Sequence, residues 1–342
     1  MVVLTDCLTE KVDEGCLKVA NNIAQKLKKT KYDIKLISYG RKSSETDVYL
    51  KLNKLFINKS LFKELRKTQG NIIYIPFASN TIASILRAYV LTLFSGKKVY
   101  VLFALRHSMN KMSKMLLVYA KFNLIVLSKK SLDFYRKYAK ENVIYLKTGV
   151  NINKFYPVSN NEKKRLKIKY GLDEDKPVVL HVGHLHGGRN VETLADISED
   201  KQVLLIVSSV SIQDNSIKEM LLKKKNIHII DEYIPNIEEA YQLSDVYIFP
   251  VEKEENCIDV PLSVLEAAAC GLPIVTTKYG ELNEFVGDKG FYFMESINPI
   301  VLNEKIDIAL MEKYNPRKSV QIYDWDQSIN LLVRSIEGEY NE

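Results

Sequence analysis

The sequence predicts an α/β fold of two doubly wound domains, and three observations carry that prediction. Short β-branched runs alternate with longer helical patterns along the whole chain, the alternation that builds parallel sheets wrapped by helices. The rhythm occurs twice, on either side of a stretch, GVNINKFYPVSNNE (149–162), that collects Gly, Asn, Pro and Ser. The length, 342 residues, suits about two domains, each with its own core.

In the first half the strand candidates are Val2–Thr5, Asp33–Ser38, Ile72–Ile75, Lys98–Ala104, Leu124–Leu127 and Val143–Leu146. Helical patterns fill the gaps, beginning with DEGCLKVANNIAQKLKK after the first strand. In the second half the candidates are Val178–Val182, Val203–Val207, Ile227–Ile230, Val246–Pro250 and Ile274–Thr277. The opening MVVLTD reads as a strand entered at once and lacks the basic and long apolar regions of a signal peptide, so a cytosolic location is expected. The most apolar helical stretch, Thr81–Phe94, contains Arg87 and falls short of the ~18 apolar residues a membrane span needs.

Composition excludes several classes. Apolar content of 46% and charged content of 27% belong to an ordinary globular protein rather than a disordered or membrane-spanning one. The four cysteines, Cys7, Cys16, Cys257 and Cys270, form no Cys-x-x-Cys pair and no zinc-finger spacing with histidine, which predicts neither disulfide nor zinc. The net charge of +7 conceals an asymmetry: residues 1–157 hold 29 Lys/Arg against 10 Asp/Glu, and residues 158–342 hold 20 against 32. A basic first half suits an anionic partner surface, with a merely solvated lysine-rich face as the other reading. The aromatic–basic motifs of common RNA-binding modules are missing, so no nucleic-acid partner is expected.

Parallel sheets bind ligands beyond the carboxyl ends of their strands, and two second-half segments lie there. After VVLHV comes GHLHGGRN (Gly183–Asn190), followed by a helical pattern. A strand, a glycine-rich turn and a helix start favour an anion, and Arg189 adds a guanidinium at the mouth. The glycine spacing is neither that of a nicotinamide site nor that of a P-loop. The second segment, IDVPLSVLEAAACGLPIVTT (Ile258–Thr277), is apolar except for Glu266 in a helix entered at Pro261. Ser263-x-x-Glu266 fits a capping box; the same carboxylate could instead accept paired hydroxyls, such as a ribose diol.

VPLSVLEAAACGLPIVTTKYGELNEFV resembles the donor-site signature of retaining family 4 glycosyltransferases (glycosyl transferases group 1) of the GT-B fold. Four further stretches agree in order: VIYLKTGVNINKFYP, HVGHLHGGRN, YIPNIEEAYQLSDVYIFPV (from Tyr233) and YDWDQSINLLVRSIEGEY. Together they cover 143–342; the first half matches loosely through DEGCLKVANNIAQKL and VLFALRHSM. The resemblance implies two Rossmann-like domains facing a cleft, with the C-terminal helix crossing back. It sets an acceptor domain at 1–155 with the closing helix 323–342, and a nucleotide-sugar donor domain at 156–322.

Residue by residue, the resemblance implies that Glu266 holds the nucleotide ribose and Arg189 grips the diphosphate. His184 stands where the family has an arginine, and Gly15 matches the N-terminal loop glycine facing the phosphates. His107 matches the histidine near the donor sugar. Gly183, Tyr233 and the stretch Asp259, Val260, Pro261 and Leu262 would line the donor. Ile258 replaces the first glutamate of the family's Glu-x7-Glu motif, with Asp259, Glu255 or Glu254 as stand-ins. A histidine at 184 titrates near neutrality, so donor binding is expected to weaken as pH rises.

The activity implied is retaining transfer from a nucleotide diphosphate sugar to a glycan or lipid-linked acceptor, without metal or other cofactor. The basic half would serve that acceptor or an anionic membrane surface, at the inner membrane face if the protein is peripheral. The Asp-x-Asp at 324–326 lies in the closing helix pattern and reads as packing and solvated charge. NKMSKMLLVYAKF (Asn110–Phe122) mixes lysines with apolar residues; a core helix is the expectation, an interfacial one the alternative. A catalytically inactive nucleotide-sugar-binding protein and another GT-B enzyme, such as a nucleotide-sugar epimerase, remain as alternative functions.

Overall fold

The computed structural model describes residues 1–12, 14–40, 42–104, 109–140, 142–208, 213–253 and 257–338. They divide into two compact units, Met1–Thr148 with Trp325–Glu342, and Gly149–Asp324.

The first unit carries strands β1 (Val2–Thr5), β2 (Lys35–Ser38), β3 (Val48–Tyr49), β4 (Ile72–Ile75), β5 (Val99–Phe103), β6 (Asn123–Val126) and β7 (Val143–Tyr145). They form one parallel sheet in the order β3-β2-β1-β4-β5-β6-β7. Every residue of β1, β4 and β5 is buried, as expected of strands covered on both faces. The covering helices are α1 (Gly15–Lys28), α2 (Lys59–Arg66), α3 (Ile82–Ser95), α4 (Lys111–Val118) and α5 (Lys129–Ala139). Side chains of Asn58, Thr81, Asn110 and Ser128 cap the starts of α2 to α5, satisfying N–H groups that a first turn leaves without partners. The core between sheet and helices is aliphatic and aromatic, built around Leu4, Tyr74, Val101, Phe103 and Tyr135.

The second unit carries β8 (Val178–Gly183), β9 (Gln202–Val207), β10 (Ile227–Ile230), β11 (Val246–Phe249), β12 (Ile274–Thr276) and β13 (Phe291–Phe293). They too form one parallel sheet, in the order β10-β9-β8-β11-β12-β13. Its helices are α6 (Asn160–Lys169), α7 (Asn215–Leu222), α8 (Glu238–Leu243), α9 (Leu262–Ala269), α10 (Pro299–Glu312) and α11 (Arg317–Val320). Arg317 ties the unit's entry segment to α9: its guanidinium donates to the carbonyls of Ile152, Phe155 and Ala269.

The last helix, α12 (Trp325–Glu337), belongs to the first unit and packs on α1. It buries Trp325, Ile329, Leu332, Val333 and Ile336, and Asp326 pairs with Lys26 at 2.6 Å. The Asp-x-Asp sequence is thus divided between a loop residue and a helix-surface ion pair.

Two strands escape the sequence reading. β3 and β13 are edge strands of two and three residues, too short for an alternation or an apolar run to register. One expectation holds on one face only. α4 reaches the core through Leu117, with Leu116 packed against it, while Met112, Met115 and Val118, with Tyr119 just beyond, are 52%, 56%, 50% and 72% exposed. Only Ser113 and Leu117 of α4 are fully buried, and Leu116 packs beside them, so the other face of this eight-residue helix is left open. Among the described residues no helix is long and apolar enough to cross a membrane.

Candidate functional site

In a doubly wound sheet the strand order reverses at one place, and the loops leaving the two strands there diverge and open a crevice. In the second unit that place is β8/β11: β9 lies on one side of β8 and β11 on the other. Both segments singled out in the sequence leave from it. The Gly183–Asn190 loop continues β8, and the chain leading to α9 continues β11. Asn190 joins them, its side-chain amide donating to the Pro250 carbonyl at 2.9 Å.

The glycine-rich loop is built around a buried cation. Arg189 is 7% exposed, and its guanidinium folds back over Gly183. A Cβ placed on Gly183 would lie 3.0 Å from Arg189 Nη1 and 3.0 Å from His181 Nε2. Gly183 is therefore the position that lets a guanidinium and an imidazole both come close to bare backbone. His184 and His186 are half-buried on the same loop, with ring centroids 6.4 Å apart. Burial, helped by the Arg189 charge, holds the His186 imidazole below its ordinary range, while Asp214 and Glu192 oppose the shift.

The helix expected after this loop is absent. The structure has 3-10 turns at Gly187–Arg189 and Val191–Asp196, divided by Asn190 in the left-handed conformation at φ 54°. The N–H groups of Arg189 and Asn190 close the first turn on His186 and Gly187. They are consumed internally, so the positive potential here comes from the guanidinium and not from a helix dipole.

The capping reading of Ser263 and Glu266 is also overturned. α9 begins two residues earlier than that box requires, with Pro261 at the N-cap and no side-chain cap bond, and Ser263 lies inside the first turn. Val264 and Leu265 donate back to Pro261; Leu262 and Ser263 N–H have no intrahelical partner. Glu266, 6% exposed, turns inward, and its Oε2 accepts the Tyr241 hydroxyl at 2.8 Å. Burial and the Glu266 charge raise the Tyr241 phenol far above its ordinary range, so it stays a donor.

Buried rings join Glu266 to Arg189. Tyr241 lies 5.9 Å from Tyr247, and Tyr247 stacks on His181 with centroids 6.4 Å apart and planes 14° from parallel. The Arg189 and Glu266 regions are two ends of one packed layer at the β8/β11 switch point.

A third loop closes on the same region. After β12, Tyr279 donates to the Cys257 carbonyl at 2.7 Å, and Glu281 N–H donates to the Asp259 carbonyl at 2.9 Å. Burial holds the Tyr279 phenol well above its ordinary range; Cys257 and Asp259 add to this and the Arg189 charge opposes it. Tyr279 therefore senses both Asp259 and Arg189. Gly280 has φ +54°, and a Cβ there would press on the Asp259 carbonyl. Asp259 and Val260 are buried at the turn into α9, and Ile258 beside them is 4% exposed.

The remaining expected residues lie elsewhere. Gly15 opens α1 in the first unit, where the Glu14 carboxylate accepts from Leu17 N–H at 3.0 Å and caps the helix. Tyr233 is half-buried on the loop after β10, the edge strand two removed from β8. His107, Glu254 and Glu255 fall outside the described residues. His181, Tyr241, Tyr247 and Gly280 were missed by sequence reasoning. The lone histidine in an otherwise apolar strand, VVLHV, was the one available signal.

A chain of two fully parallel, doubly wound units with this switch-point layer has the GT-B fold. Solved structures agree over nearly its whole length. A glycosyltransferase from Rickettsia africae superposes with a TM-score of 0.80 at 15% identity, covering 98% of this chain and 97% of that one. Anabaena HepE, solved in complex with UDP and glucose, superposes with a TM-score of 0.77 at 13% identity, covering 98% and 99%. Residues 176–311 match the model of the glycosyl transferases group 1 family. Among curated proteins the chain is similar to N,N'-diacetylbacillosaminyl-diphospho-undecaprenol alpha-1,3-N-acetylgalactosaminyltransferase of Campylobacter jejuni. That match is 28% identical over 181 residues, which is 51% of this chain and 47% of that protein. The chain spans between 29% and 47% of the length of the curated relatives it matches.

Proposed function

We propose that this chain is a glycosyltransferase that moves a sugar from a nucleotide diphosphate sugar to a glycan or lipid-linked acceptor, with retention of anomeric configuration. The observation that carries the reading is the joining, at one switch point, of a buried guanidinium on the β8 loop with a buried carboxylate on the helix after β11. A nucleoside diphosphate needs both: a cation for the phosphates and an acceptor pair for the ribose hydroxyls. HepE was solved with UDP and glucose, and the Campylobacter relative is named for transfer to a lipid-linked diphosphate; both support the substrate class.

In this reading Glu266 accepts the ribose hydroxyls and is kept in place by the Tyr241 hydroxyl. Arg189 meets the diphosphate, with the Gly183 backbone, His184 and the first-turn N–H groups of Leu262 and Ser263 beside it. Breaking the sugar–phosphate bond builds negative charge on the departing diphosphate, and donors already aimed at that charge lower the barrier. The leaving phosphate itself would take the acceptor's proton, so no carboxylate nucleophile is invoked. Asp259 is the carboxylate next to Ile258 and the candidate for a sugar hydroxyl. Gly15 and His107 are proposed contacts from the first unit, and Tyr233 from the β10 loop. No metal is assigned a role; among the described residues no cluster of three or more His, Cys, Asp or Glu could hold one. The first unit would receive the acceptor, and the exposed apolar residues of α4, flanked by Lys111 and Lys114, suit an anionic membrane surface.

The test is donor hydrolysis by wild type and Arg189→Ala across a panel of nucleotide sugars. Loss of a preorganised donor to the leaving group is expected to cost about 2–4 kcal/mol, roughly 30–1,000-fold in rate. Hydrolysis by Arg189→Ala at the parental rate would overturn the assignment. Nucleotide binding without hydrolysis or transfer by the wild type would instead favour a binding protein.

A further inference from the structure

His181 is a buried ionisable group at the switch point that the proposed chemistry leaves without work. It is 0% exposed in the middle of β8. Its Nδ1 lies 2.9 Å from the Ile248 carbonyl on β11. A carbonyl only accepts, so Nδ1 carries the proton and Nε2 carries a lone pair. Nε2 has no hydrogen-bond partner. The ring is held neutral: burial pushes its pKa down to about 4, the Ile248 carbonyl opposes the shift, and the Arg189 charge adds to it.

The Nδ1 side of the ring has a structural partner in the Ile248 carbonyl; the Nε2 side has none, and a buried acceptor left unsatisfied costs free energy. What the imidazole offers is direction. Its lone pair and Arg189 Nη1 each come to 3.0 Å from the same empty point, the Cβ position that Gly183 lacks. A neutral acceptor faces a cation across bare backbone.

We propose that His181 is a positioning residue for Arg189: its Nε2, without a partner in this structure, takes one guanidinium N–H across Gly183 when a diphosphate is bound and so turns other N–H groups of the guanidinium toward it. The inference rests on the reading of Arg189 as the diphosphate-binding group. Being neutral, the ring orients the guanidinium without cancelling the charge the phosphate requires. Gly183 is then needed for the pair to meet, in addition to any approach of ligand to backbone.

The experiment is a double-mutant cycle read by calorimetric binding of inorganic pyrophosphate and of UDP, which needs no knowledge of the sugar. Arg189→Ala is expected to abolish or severely weaken binding. His181→Phe is expected to weaken it about 10-fold or more, the size expected of one lost bond to a charged group. In the Arg189→Ala background His181→Phe should add nothing. His181→Gln, which returns an acceptor near the Nε2 position, should recover most of the loss. Should His181→Phe fail to fold, Gly183→Ala supplies the same arm of the cycle, because its methyl would stand between the two groups. Equal losses from His181→Phe with and without Arg189, or wild-type affinity in a folded His181→Phe protein, would overturn the positioning role while leaving the Arg189 reading intact. Failure of wild type to bind either probe, or binding that ignores Arg189, would overturn that reading and the inference with it.

Discussion

Gly280→Ala is the substitution whose cost the structure allows to be worked out most fully. Gly280 sits at φ +54°, where an L side chain costs about 1–2 kcal/mol. The added methyl would also lie 2.9 Å from the Asp259 carbonyl carbon and 3.1 Å from its Cα, and closer still to the oxygen. These are backbone atoms, so relief requires moving the chain, and overpacking of that kind costs about 1–3 kcal/mol. The total, about 2–5 kcal/mol, corresponds to a melting-point fall of roughly 4–20 °C for a domain of this size. Gly287→Ala is the matched control, since Gly287 has φ +94° with nothing within 4 Å of its Cβ position. It carries the backbone penalty without the collision. Thermal unfolding followed by circular dichroism should therefore place Gly280→Ala well below Gly287→Ala, and UDP should stabilise the former less because Asp259 has moved. Equal melting points for the two variants would refute the close-approach argument.

Tyr241→Phe removes the hydroxyl that Glu266 accepts in a buried setting. Loss of a bond to a charged group should cost about 1.5–3 kcal/mol in urea unfolding, with weakened UDP binding if Glu266 holds the ribose. At Asp245, burial pushes the carboxyl up, but Lys163 at 3.0 Å and Lys167 at 2.9 Å, with the Val178 N–H, pull it down further and win. A depressed carboxylate contributes stability above its unfolded pKa, ~3.9, and loses it as pH falls through the lower folded value. Urea midpoints between pH 6 and pH 2.5 should drop less steeply for Asp245→Asn than for wild type, and parallel curves would count against the ion pairs. If α4 meets a membrane, Met112→Ser with Met115→Ser should reduce flotation with anionic vesicles and leave Tm nearly unchanged, because both side chains are already more than half exposed.

Much of the architecture was legible because parallel sheets announce themselves. Strands buried on both faces must be largely apolar along their length, and Val2–Thr5 and Ile72–Ile75 carry the boundaries their strands have. The edge strands at 48–49 and 291–293 bury less and span less, so their residues carry little of that pattern. At the site, Arg189 and Glu266 stood out as charges in apolar or glycine-rich surroundings, which is also why burial makes them consequential. What surrounds them was hidden for a physical reason. Tyr241, Tyr247 and His181 act through contacts between strands and helices distant in sequence, and no local spacing encodes that His181 reaches the Ile248 carbonyl. The two local readings that failed, a helix after Gly183–Asn190 and a capping box at Ser263, failed because tertiary contacts decided them. Asn190 is drawn to Pro250, and Glu266 is drawn inward to Tyr241.

The departure at Ile258 acquires a structural meaning in the same way. The residue is 4% exposed, and a glutamate there would have to be buried with partners or displace the turn into α9, since an unpaired buried carboxylate is far too costly. The neighbouring backbone is already committed: the Asp259 carbonyl takes the Glu281 N–H, and the Cys257 carbonyl takes the Tyr279 hydroxyl. A turn held by two fixed carbonyls and a glycine at 280 does not need a carboxylate at 258 to keep its shape. The loss therefore falls on whatever a side chain at 258 would contact and leaves the proposed diphosphate and ribose positions at Arg189 and Glu266 in place. Under the proposed transferase reading that separates the two affinities: UDP should bind with or without Ile258→Glu, whereas discrimination between nucleotide sugars that differ only in their hydroxyl pattern should change. If Ile258→Glu abolishes UDP binding in a folded protein, the two positions are coupled and this division is wrong.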